Sequence, residues 1–151
     1  MRQRRSRKVI EKIKALLIKH REIIVYLIVG GITTVISWAA KFIWNFAFYD
    51  GTAFPTVTQN FILSMVNWIA GVASAYPMNR RWVFQSKNPN ILKEASGFVA
   101  SRVATLGLDI LVMQVLVLIG VNVYVATIIS AILVIVGNYV LSKFFIFKNK
   151  A

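Results

Sequence analysis

The stretch "YPMNRRWVFQSKNPNILKE", residues 76–94, separates two long apolar segments. It contains four Lys or Arg side chains, and two other stretches, residues 2–21 and 143–150, contain nine and three. Lys and Arg that flank membrane helices stay on the cytoplasmic side of the membrane. Residues 76–94 therefore predict a cytoplasmic loop between two membrane hairpins.

The composition favours a membrane protein over a soluble domain. The chain has 151 residues, is 58% hydrophobic and carries a formal net charge of +13. A soluble domain of this length has too small an interior to bury so much apolar sequence. There is no cysteine and only one histidine, His20, which excludes disulfides and thiolate or histidine-rich metal sites, so we expect no metal and no cofactor.

Four apolar runs are long enough to cross the hydrocarbon core, which takes about 20 residues. Only "YDGTAFPT" separates the first pair of runs, and only "GVN" the second, so both outer connections are short turns. The pattern predicts an all-α, multi-pass protein of the cytoplasmic membrane, with both termini cytoplasmic and a four-helix transmembrane domain over residues 22–151. The predicted helices are roughly Ile23–Phe48, Val57–Pro77, Ala95–Ile119 and Val123–Phe147.

The amino-terminal segment, residues 1–21, precedes this domain. Ile10, Ile13, Leu16 and Leu17 recur at helical spacing among lysines. This pattern favours a basic amphipathic helix on the inner leaflet. A disordered basic tail that only sets the orientation of the protein is the alternative, and both interpretations stay open.

The chain also contains an internal repeat. "NRRWVF" at 79–84 corresponds to "SKFFIF" at 142–147, and "YLIVGGITTVIS" at 26–37 aligns with "FVASRVATLGLD" at 98–109, mostly through shared apolar character. Each half is then an outward helix, a tight external turn and an inward helix that ends in a cation-aromatic anchor. Because each half has two spans, we expect parallel repeats related by an axis along the membrane normal.

Polar residues recur at helical spacing within each apolar run. A lone Ser or Gly in a membrane helix usually serves close packing between helices, but four such stripes together indicate a polar path. The stripes are Thr34, Ser37, Lys41 and Asn45; Asn60, Ser64, Asn67, Gly71 and Ser74; Arg102, Thr105 and Asp109; and Ser130, Gly137 and Asn138.

The depth of these residues separates them into two layers. At about 1.5 Å per residue from the cytoplasmic ends, Arg102 lies about 15 Å deep, Asn67 about 18 Å and Asn138 about 13 Å. Lys41 at about 27 Å and Asp109 at about 25 Å form an outer layer. Lys41 and Asp109 have opposite charges at matching depth, so they form either a structural ion pair or part of a substrate path.

Arg102 has no acidic residue at its own depth within the chain. A buried charge costs at least about 2.5–3.5 kcal/mol, so intramembrane ionisable residues are candidates for function. Guanidinium is always charged and binds two phosphate oxygens at once. Unless a neighbouring subunit supplies a carboxylate, we expect Arg102 to bind an anion from the membrane.

Four motifs resemble the GtrA-like family of small four-helix membrane proteins: "YLIVGGITT", "NRRWVF", "FVASRVATLGLDILVM" and "VIVGNYVLSKFFIFK". The resemblance covers about residues 26–148. It implies movement of polyprenyl-phosphate-linked sugars from the inner to the outer leaflet, for glycosylation of teichoic acid or another surface polysaccharide. The family pattern falls on Gly30, Gly31, Asn79, Arg80, Arg102, Asp109, Asn138 and Lys143. Ser142 stands where some members have Asn, which puts a symmetric role for Asn79 in doubt.

The order of the charges agrees with an anionic, lipid-linked sugar as ligand. Arg80, Arg81 and Lys143 at the inner surface would collect the phosphate from the membrane lipid. Arg102 would receive it, and Lys41 would pass it outward.

Several other classes of protein compete with this interpretation. Small multidrug-type exporters resemble one another in having a membrane-embedded carboxylate on the first helix. The first predicted helix of this chain has Lys41 instead, which disfavours this class. A non-transporting scaffold for a membrane glycosyltransferase stays open. We expect no enzyme, because there are no paired carboxylates and no nucleophile with a base. We expect no nucleic-acid binding, because the cations form short flanks to membrane spans.

A path for a headgroup within a single four-helix chain would be tight, so we expect a homo-oligomer. Glycines permit close helix contacts in membranes. The candidates for such contacts are Gly30, Gly31, Gly71 and Gly137.

Overall fold

A computed structural model describes residues 20–147 of the chain. Within this range it has four helices long and apolar enough to cross a membrane, which confirms the predicted all-α membrane fold. Residues 10–17, for which an amphipathic helix is one interpretation, lie outside the described residues. The helices are α1 (Arg21–Tyr49), α2 (Val57–Met78), α3 (Ile91–Leu118) and α4 (Val123–Leu141).

The chain divides after Val83 into two compact units. The first holds α1, α2 and a π-helical turn that follows α2, π1 (Asn79–Val83). The second, from Phe84, holds α3, α4 and the π-helical turn after α4, π2 (Ser142–Ile146). In each unit the two helices pack on each other, and we call these units the first and the second hairpin.

The outer turn of the first hairpin is closed by backbone hydrogen bonds. Asp50 and Gly51 both have positive φ angles, 52° and 68°, and their N–H groups both donate to the carbonyl of Asn45. The next helix starts with a capping box, in which the side chains of Thr56 and Gln59 each accept from the other's backbone N–H. The turn can therefore be short without leaving these helix ends unsatisfied.

The outer turn of the second hairpin uses a Schellman motif. Gly120 has a φ of 83°, and the N–H of Val121 donates to the carbonyl of Leu116 at 2.9 Å. The side chain of Asn122 then caps α4 by accepting from the N–H of Tyr124 at 2.9 Å. Glycine is required at position 120 because its backbone conformation is left-handed.

A single stripe of α1 packs against α2. Its buried side chains are Tyr26, Val29, Thr33 and Ser37, which recur every three or four residues and hence share one face. On α2, a Cβ at Gly71 would lie 3.4 Å from the Cβ of Ser37. The absent side chain lets the two helices approach closely.

The stripe of α3 that is buried in the second hairpin has the same spacing. It consists of Glu94, Phe98, Ser101 and Thr105. In the alignment of residues 26–37 with 98–109, three of these residues fall opposite buried residues of α1. The pairs are Phe98 with Tyr26, Ser101 with Val29, and Thr105 with Thr33. The repeat predicted from apolar character is therefore matched by the pattern of burial.

The inner ends of α2 and α4 widen into π-helical turns, which sequence reasoning did not anticipate. In π2 the N–H of Phe147 donates to the carbonyl of Ser142, five residues earlier, at 2.8 Å. Pro77, the last residue of the predicted second helix, lies within α2, which continues directly into π1. The wider turns extend the two spans to Val83 and Ile146, within the cation-aromatic anchors.

The inner loop of the second hairpin is held by side-chain hydrogen bonds. Asn90 caps α3 by accepting from the N–H of Lys93 at 3.3 Å, so this helix begins at Ile91, before the apolar run itself. The hydroxyl of Ser86 donates to the buried carboxylate of Glu94 at 2.5 Å. The first turn of α3 includes Lys93 and Glu94, which interrupt the apolar pattern, and this explains the later start that we predicted.

Candidate functional site

The hydroxyl groups of the predicted polar stripes are largely engaged within their own helices. Thr34 donates to the carbonyl of Gly30 and Ser37 to that of Thr34, both at 2.9 Å. Ser64 donates to the carbonyl of Asn60 at 2.8 Å. Such back-bonding satisfies a hydroxyl without a partner on another helix. The amide and charged side chains are therefore the stronger candidates for a polar path.

Arg102 lies half-buried on α3. Its guanidinium carbon lies 4.4 Å from the centroid of the Phe98 ring, one turn nearer the predicted inner end of the helix, and that ring is fully buried. Helical side chains lean toward the helix amino terminus, which for α3 is the predicted inner end. A turn is about 5.4 Å, so the charge lies closer to the inner surface than the Cα of Arg102 does. The Phe98 face stabilises the charge through a cation-π contact.

Asp109 is bonded to α4 in the second hairpin. The hydroxyl of Ser130, which is fully buried, donates to the Asp109 carboxylate. Lys41, which we predict as a possible ion-pair partner, belongs to α1 in the first hairpin and is half-buried. The pairing of Lys41 with Asp109 stays a prediction.

Asn138 is fixed by a hydrogen bond across the second hairpin. Its side-chain oxygen accepts from the Thr105 hydroxyl at 2.8 Å, and that hydroxyl also lies 3.1 Å from the carbonyl oxygen of Arg102. The structure thus bonds the side chain of Asn138 to a buried threonine one turn from Arg102 on α3. The third member, Asn67, belongs to the first hairpin, and its buried Oδ1 has no hydrogen-bond partner among residues 20–147.

The cations at the inner ends of α2 and α4 have matching partners. Arg80 Nη1 donates to the hydroxyl of Tyr76 at 3.2 Å. Lys143 Nζ donates to the hydroxyl of Tyr139 at 3.0 Å. Both pairs join residues four apart, with the cation in the π-helical turn and the tyrosine in the last turn of the preceding helix. Arg81 is exposed.

The residue before each of these cations is polar and buried. Asn79 is 2% exposed, and its Nδ2 donates to the carbonyl of Ala75 at 2.8 Å. Ser142 is 0% exposed. Neither Asn79 Oδ1 nor Ser142 Oγ has a hydrogen-bond partner in the described part of the chain. The two positions share burial and polarity although their side chains differ.

An aromatic cluster closes the inner end of the second hairpin. Phe84 stacks on Phe147 with ring centroids 4.7 Å apart, and Phe98 lies 6.1 Å from Phe147. Tyr139 lies 6.2 Å from Phe84. Sequence reasoning missed this cluster because apolar residues surround these helices on all sides. The available signal was the repeat, which places Phe84 opposite Phe147.

The four candidate packing glycines fall into two groups. A Cβ at Gly71 would contact Ser37, and one at Gly137 would lie 3.6 Å from Thr105 Cγ2, so both line contacts within their own hairpins. Nothing in residues 20–147 lies within 4 Å of a Cβ placed at Gly30 or Gly31. A contact of these two with another copy of the chain stays a prediction.

No three His, Cys, Asp or Glu side chains in the range 20–147 lie close enough together to hold a metal ion. The described cations make hydrogen bonds and cation-π contacts, with Arg80 and Lys143 in the π-helical turns and Arg102 on α3.

Comparisons with known proteins agree with this architecture. Residues 25–147 match the family model described as GtrA/DPMS, transmembrane domain. The cell wall teichoic acid glycosylation protein GtcA of Listeria monocytogenes serovar 1/2a is 33% identical over 152 aligned positions, covering 95% of this chain and 97% of its own. The protein of the same name from Listeria innocua is 32% identical, with the same coverage of both chains. The uncharacterized membrane protein YwcD of Bacillus subtilis is 33% identical, covering 82% of this chain and 94% of its own.

No solved structure matches the chain. The family match nevertheless covers α2, α3, α4, both π-helical turns and α1 from residue 25 onward. This multi-pass membrane protein therefore belongs to the GtrA/DPMS transmembrane-domain family.

Proposed function

We propose that this protein moves a polyprenyl-phosphate-linked monosaccharide from the inner to the outer leaflet of the cytoplasmic membrane. The sugar would serve the glycosylation of teichoic acid or another cell-surface polysaccharide. Support comes from the Listeria relatives, which are cell wall teichoic acid glycosylation proteins. The concentration of cations at the predicted inner surface fits a ligand with a negatively charged headgroup.

The observation that carries the proposal is the geometry of Arg102. Its guanidinium is half-buried, is supported by the Phe98 ring, and leans toward the leaflet from which the lipid would enter. A charge in an apolar setting is costly, and a phosphate that binds it offsets that cost. Two guanidinium N–H groups can bind two phosphate oxygens together.

The other candidate residues would line the path on either side of Arg102. The inner cations collect the phosphate headgroup, the amides donate to sugar and phosphate oxygens, and Lys41 receives the charge nearer the outer surface. Asp109, held by Ser130, balances the positive charges. The proposed path comprises Arg80, Arg81, Lys143 and Asn79 at the inner end, then Arg102, Asn67 and Asn138, then Lys41 and Asp109.

The proposed role is transport and not catalysis, and the protein would act as a homo-oligomer beside a membrane glycosyltransferase. Gly30 and Gly31 are the candidates for contact between copies, because within residues 20–147 nothing occupies the space beside them. A cationic drug as substrate is disfavoured, since α1 carries Lys41, whereas such exporters have a membrane carboxylate on their first helix. A scaffold that only recruits the glycosyltransferase is the main rival.

Reconstitution of the purified protein into liposomes tests this function. Polyprenyl-phosphate-linked sugar is placed in the inner leaflet, and its arrival in the outer leaflet is followed with a membrane-impermeant sugar-modifying enzyme. We expect translocation by the protein alone. Arg102→Ala should lower the translocation rate at least about tenfold, since a charge-assisted hydrogen bond contributes about 1.5–3 kcal/mol. The rate of Arg102→Lys should lie between those of the Ala variant and the unaltered protein.

Lys93→Ala provides the matched control, because Lys93 is an exposed cation in the first turn of the same helix. It should leave the rate unchanged. A scaffold would give no translocation without its glycosyltransferase, and full activity of a normally inserted Arg102→Ala protein would contradict the role of Arg102.

A further inference from the structure

Lys41 on α1 and Asn67 on α2 lie at the same level of the first hairpin. The two helices approach closely at Gly71, where an added Cβ would lie 3.4 Å from the Cβ of Ser37. The chain runs in opposite directions in the two helices, so four residues after Ser37 and four residues before Gly71 are both about 6 Å closer to the outer turn. Those residues are Lys41 and Asn67, and both are half-buried. This packing refines the predicted order of depths, in which Asn67 lies further inward.

The polar atoms at this level are not bonded to one another. Asn67 Oδ1 is buried and has no hydrogen-bond partner among residues 20–147, and within the same range Lys41 Nζ makes no hydrogen bond or ion pair. One turn further out on α1, Asn45 Nδ2 donates to the carbonyl of Thr52 at 3.1 Å, while Asn45 Oδ1 is buried without a partner in that part of the chain. The first hairpin therefore holds one cation and two amide oxygens that no described residue satisfies.

The second hairpin treats its polar side chains differently. There the Thr105 hydroxyl donates to Asn138 across the helix contact. Further out, the Ser130 hydroxyl donates to the Asp109 carboxylate. Unsatisfied polar atoms and charges both destabilise a helix pair in an apolar setting, so a set that the protein leaves unpaired indicates a ligand that completes it.

The chemistry of these three groups defines that ligand. The ammonium of Lys41 only donates and attracts an anion. An amide oxygen only accepts, so Asn67 Oδ1 and Asn45 Oδ1 each need a donor. An ionised phosphodiester has no proton to donate, whereas the hydroxyls of a sugar are donors. A sugar joined to a phosphate therefore satisfies all three groups, and a phosphate alone does not.

We propose that Lys41, Asn67 and Asn45 form a site that recognises the sugar of a lipid-linked sugar phosphate. Lys41 binds the phosphate, and the two amide oxygens accept from two hydroxyls of the sugar. Asn45 lies four residues from Lys41, about 6 Å along the helix, which is a distance that one sugar ring spans. The identity of the lipid as a polyprenyl phosphate rests on the proposed function. The inference extends that function by assigning sugar recognition to the first hairpin, whereas Arg102 in the second hairpin binds phosphate only.

Retention of lipids by the full-length protein in detergent, measured by native mass spectrometry, tests the proposal. The probes are polyprenyl phosphates that carry glucose, galactose or N-acetylglucosamine, and bare polyprenyl phosphate of the same length. We expect at least one sugar-bearing lipid to be retained more tightly than bare polyprenyl phosphate. Equal retention of the bare lipid and all three sugar-bearing lipids overturns the proposal.

Two substitutions separate the sugar contact from the phosphate contact. Asn67→Leu keeps the volume of the side chain and removes its amide. It should weaken retention of the best sugar-bearing lipid about threefold to tenfold and leave bare polyprenyl phosphate unchanged. Lys41→Met should weaken retention of both lipids at least about tenfold, because it removes the charge. Equal losses of the two lipids in Asn67→Leu indicate a merely structural amide and overturn the proposal, as does the absence of any loss.

Gln114→Leu is the matched control, since Gln114 is an exposed amide near the outer end of α3 in the second hairpin. It should retain every lipid as the unaltered protein does.

Deoxy analogues of the best sugar test the site without any substitution. Asn45 is best tested in this way, because its Nδ2 also holds the outer turn. Loss of either of two particular hydroxyls should weaken retention by the unaltered protein about threefold to tenfold. In Asn67→Leu, one of these two losses should disappear, because the partner of that hydroxyl is gone. Equal retention of all deoxy lipids by the unaltered protein overturns the proposal.

The 1-phosphate of the same sugar distinguishes a lipid-linked ligand from a free one. At equal concentration it should leave the bound lipid in place, and displacement overturns the lipid as the natural ligand. Translocation measured on the same preparations separates this inference from the proposed function. Normal translocation with no dependence on the sugar hydroxyls contradicts the site alone, whereas sugar-selective binding without translocation contradicts the transport alone.

Discussion

The two hairpins share one pattern of burial but join their helices by different contacts. In the first, α1 and α2 approach closely at Gly71, where an added Cβ would lie 3.4 Å from the Cβ of Ser37. In the second, hydrogen bonds link α3 and α4, from Thr105 to Asn138 and from Ser130 to Asp109. The repeated fold thus tolerates both small-residue packing and polar bridging.

This difference follows from the membrane. Lipid tails are as apolar as the helix surfaces, so burial of apolar area does not draw membrane helices together. Close packing and interhelical hydrogen bonds must do so. The first hairpin has close packing at Gly71, and the second has close packing at Gly137 together with two interhelical hydrogen bonds. The polar solution occurs in the hairpin that also carries Arg102 and Asp109, where the first hairpin has Gly30 and Ser37 in the alignment.

The largest expected effect concerns the aromatic cluster of the second hairpin. Phe147→Ala should lower stability by about 3 kcal/mol, because it removes a fully buried ring that stacks on Phe84. Thermal unfolding in detergent, followed by tryptophan fluorescence, measures the change. Phe145→Ala is the matched control, since this ring is 67% exposed in the same turn. Equal losses for both variants would contradict a structural role for the cluster.

An intermediate effect is expected for the close contact in the first hairpin. Gly71→Leu should destabilise the protein by about 2 kcal/mol, because the new side chain would be forced against Ser37. Gly31→Leu should leave the unfolding temperature of a monomer unchanged, since the space beside Gly31 is open among the described residues.

The two glycine variants should also be compared by oligomeric state in detergent. If Gly31 lies between copies of the chain, Gly31→Leu will dissociate the oligomer without unfolding the hairpin. A Gly71→Leu protein as stable as the original would remove the packing contrast between the hairpins.

The smallest effect compares two threonines at equivalent positions. Thr105→Val should cost about 1 kcal/mol, because it leaves Asn138 without the donor that now bridges the helices. Thr33→Val should be close to neutral, since the Thr33 hydroxyl bonds to the carbonyl of Gly30 in its own helix. The same unfolding measurement applies, and equal costs for the two substitutions would mean that the bridge contributes nothing.

Much of the fold could be predicted from the sequence because each membrane span is a single continuous segment of the chain. Length and apolar character identified the spans, and short polar interruptions identified the turns. The start of α3 at Ile91 was missed, since Lys93 and Glu94 interrupt the apolar pattern in its first turn and the helix start is marked by the Asn90 cap. The orientation with both termini in the cytoplasm and the parallel relation of the repeats stay predictions.

The candidate site could be predicted only as a set of residue types at certain depths. Depth along a helix follows from counting residues, so the common level of Arg102 and Asn138 was accessible. The sequence does not show which hydroxyl bonds within its own helix and which bonds to another helix. Ser37 and Thr105 are both hydroxyl residues in an apolar helix, and only the structure distinguishes their partners. The tyrosine–cation pairs were also missed, since their spacing across a π-helical turn is ordinary helical spacing.

By itself, the sequence determined the membrane class, the spans, the segregation of charge and the family to which the chain is similar. These properties depend on the composition and order of residues along the chain, because these determine which segments enter the bilayer and which stay in water. Only the tertiary structure decided that Arg102 leans on Phe98, that Asn138 accepts from Thr105, and that the inner cations pair with tyrosines. Those contacts depend on helix rotation and side-chain direction, which a uniformly apolar pattern leaves undetermined.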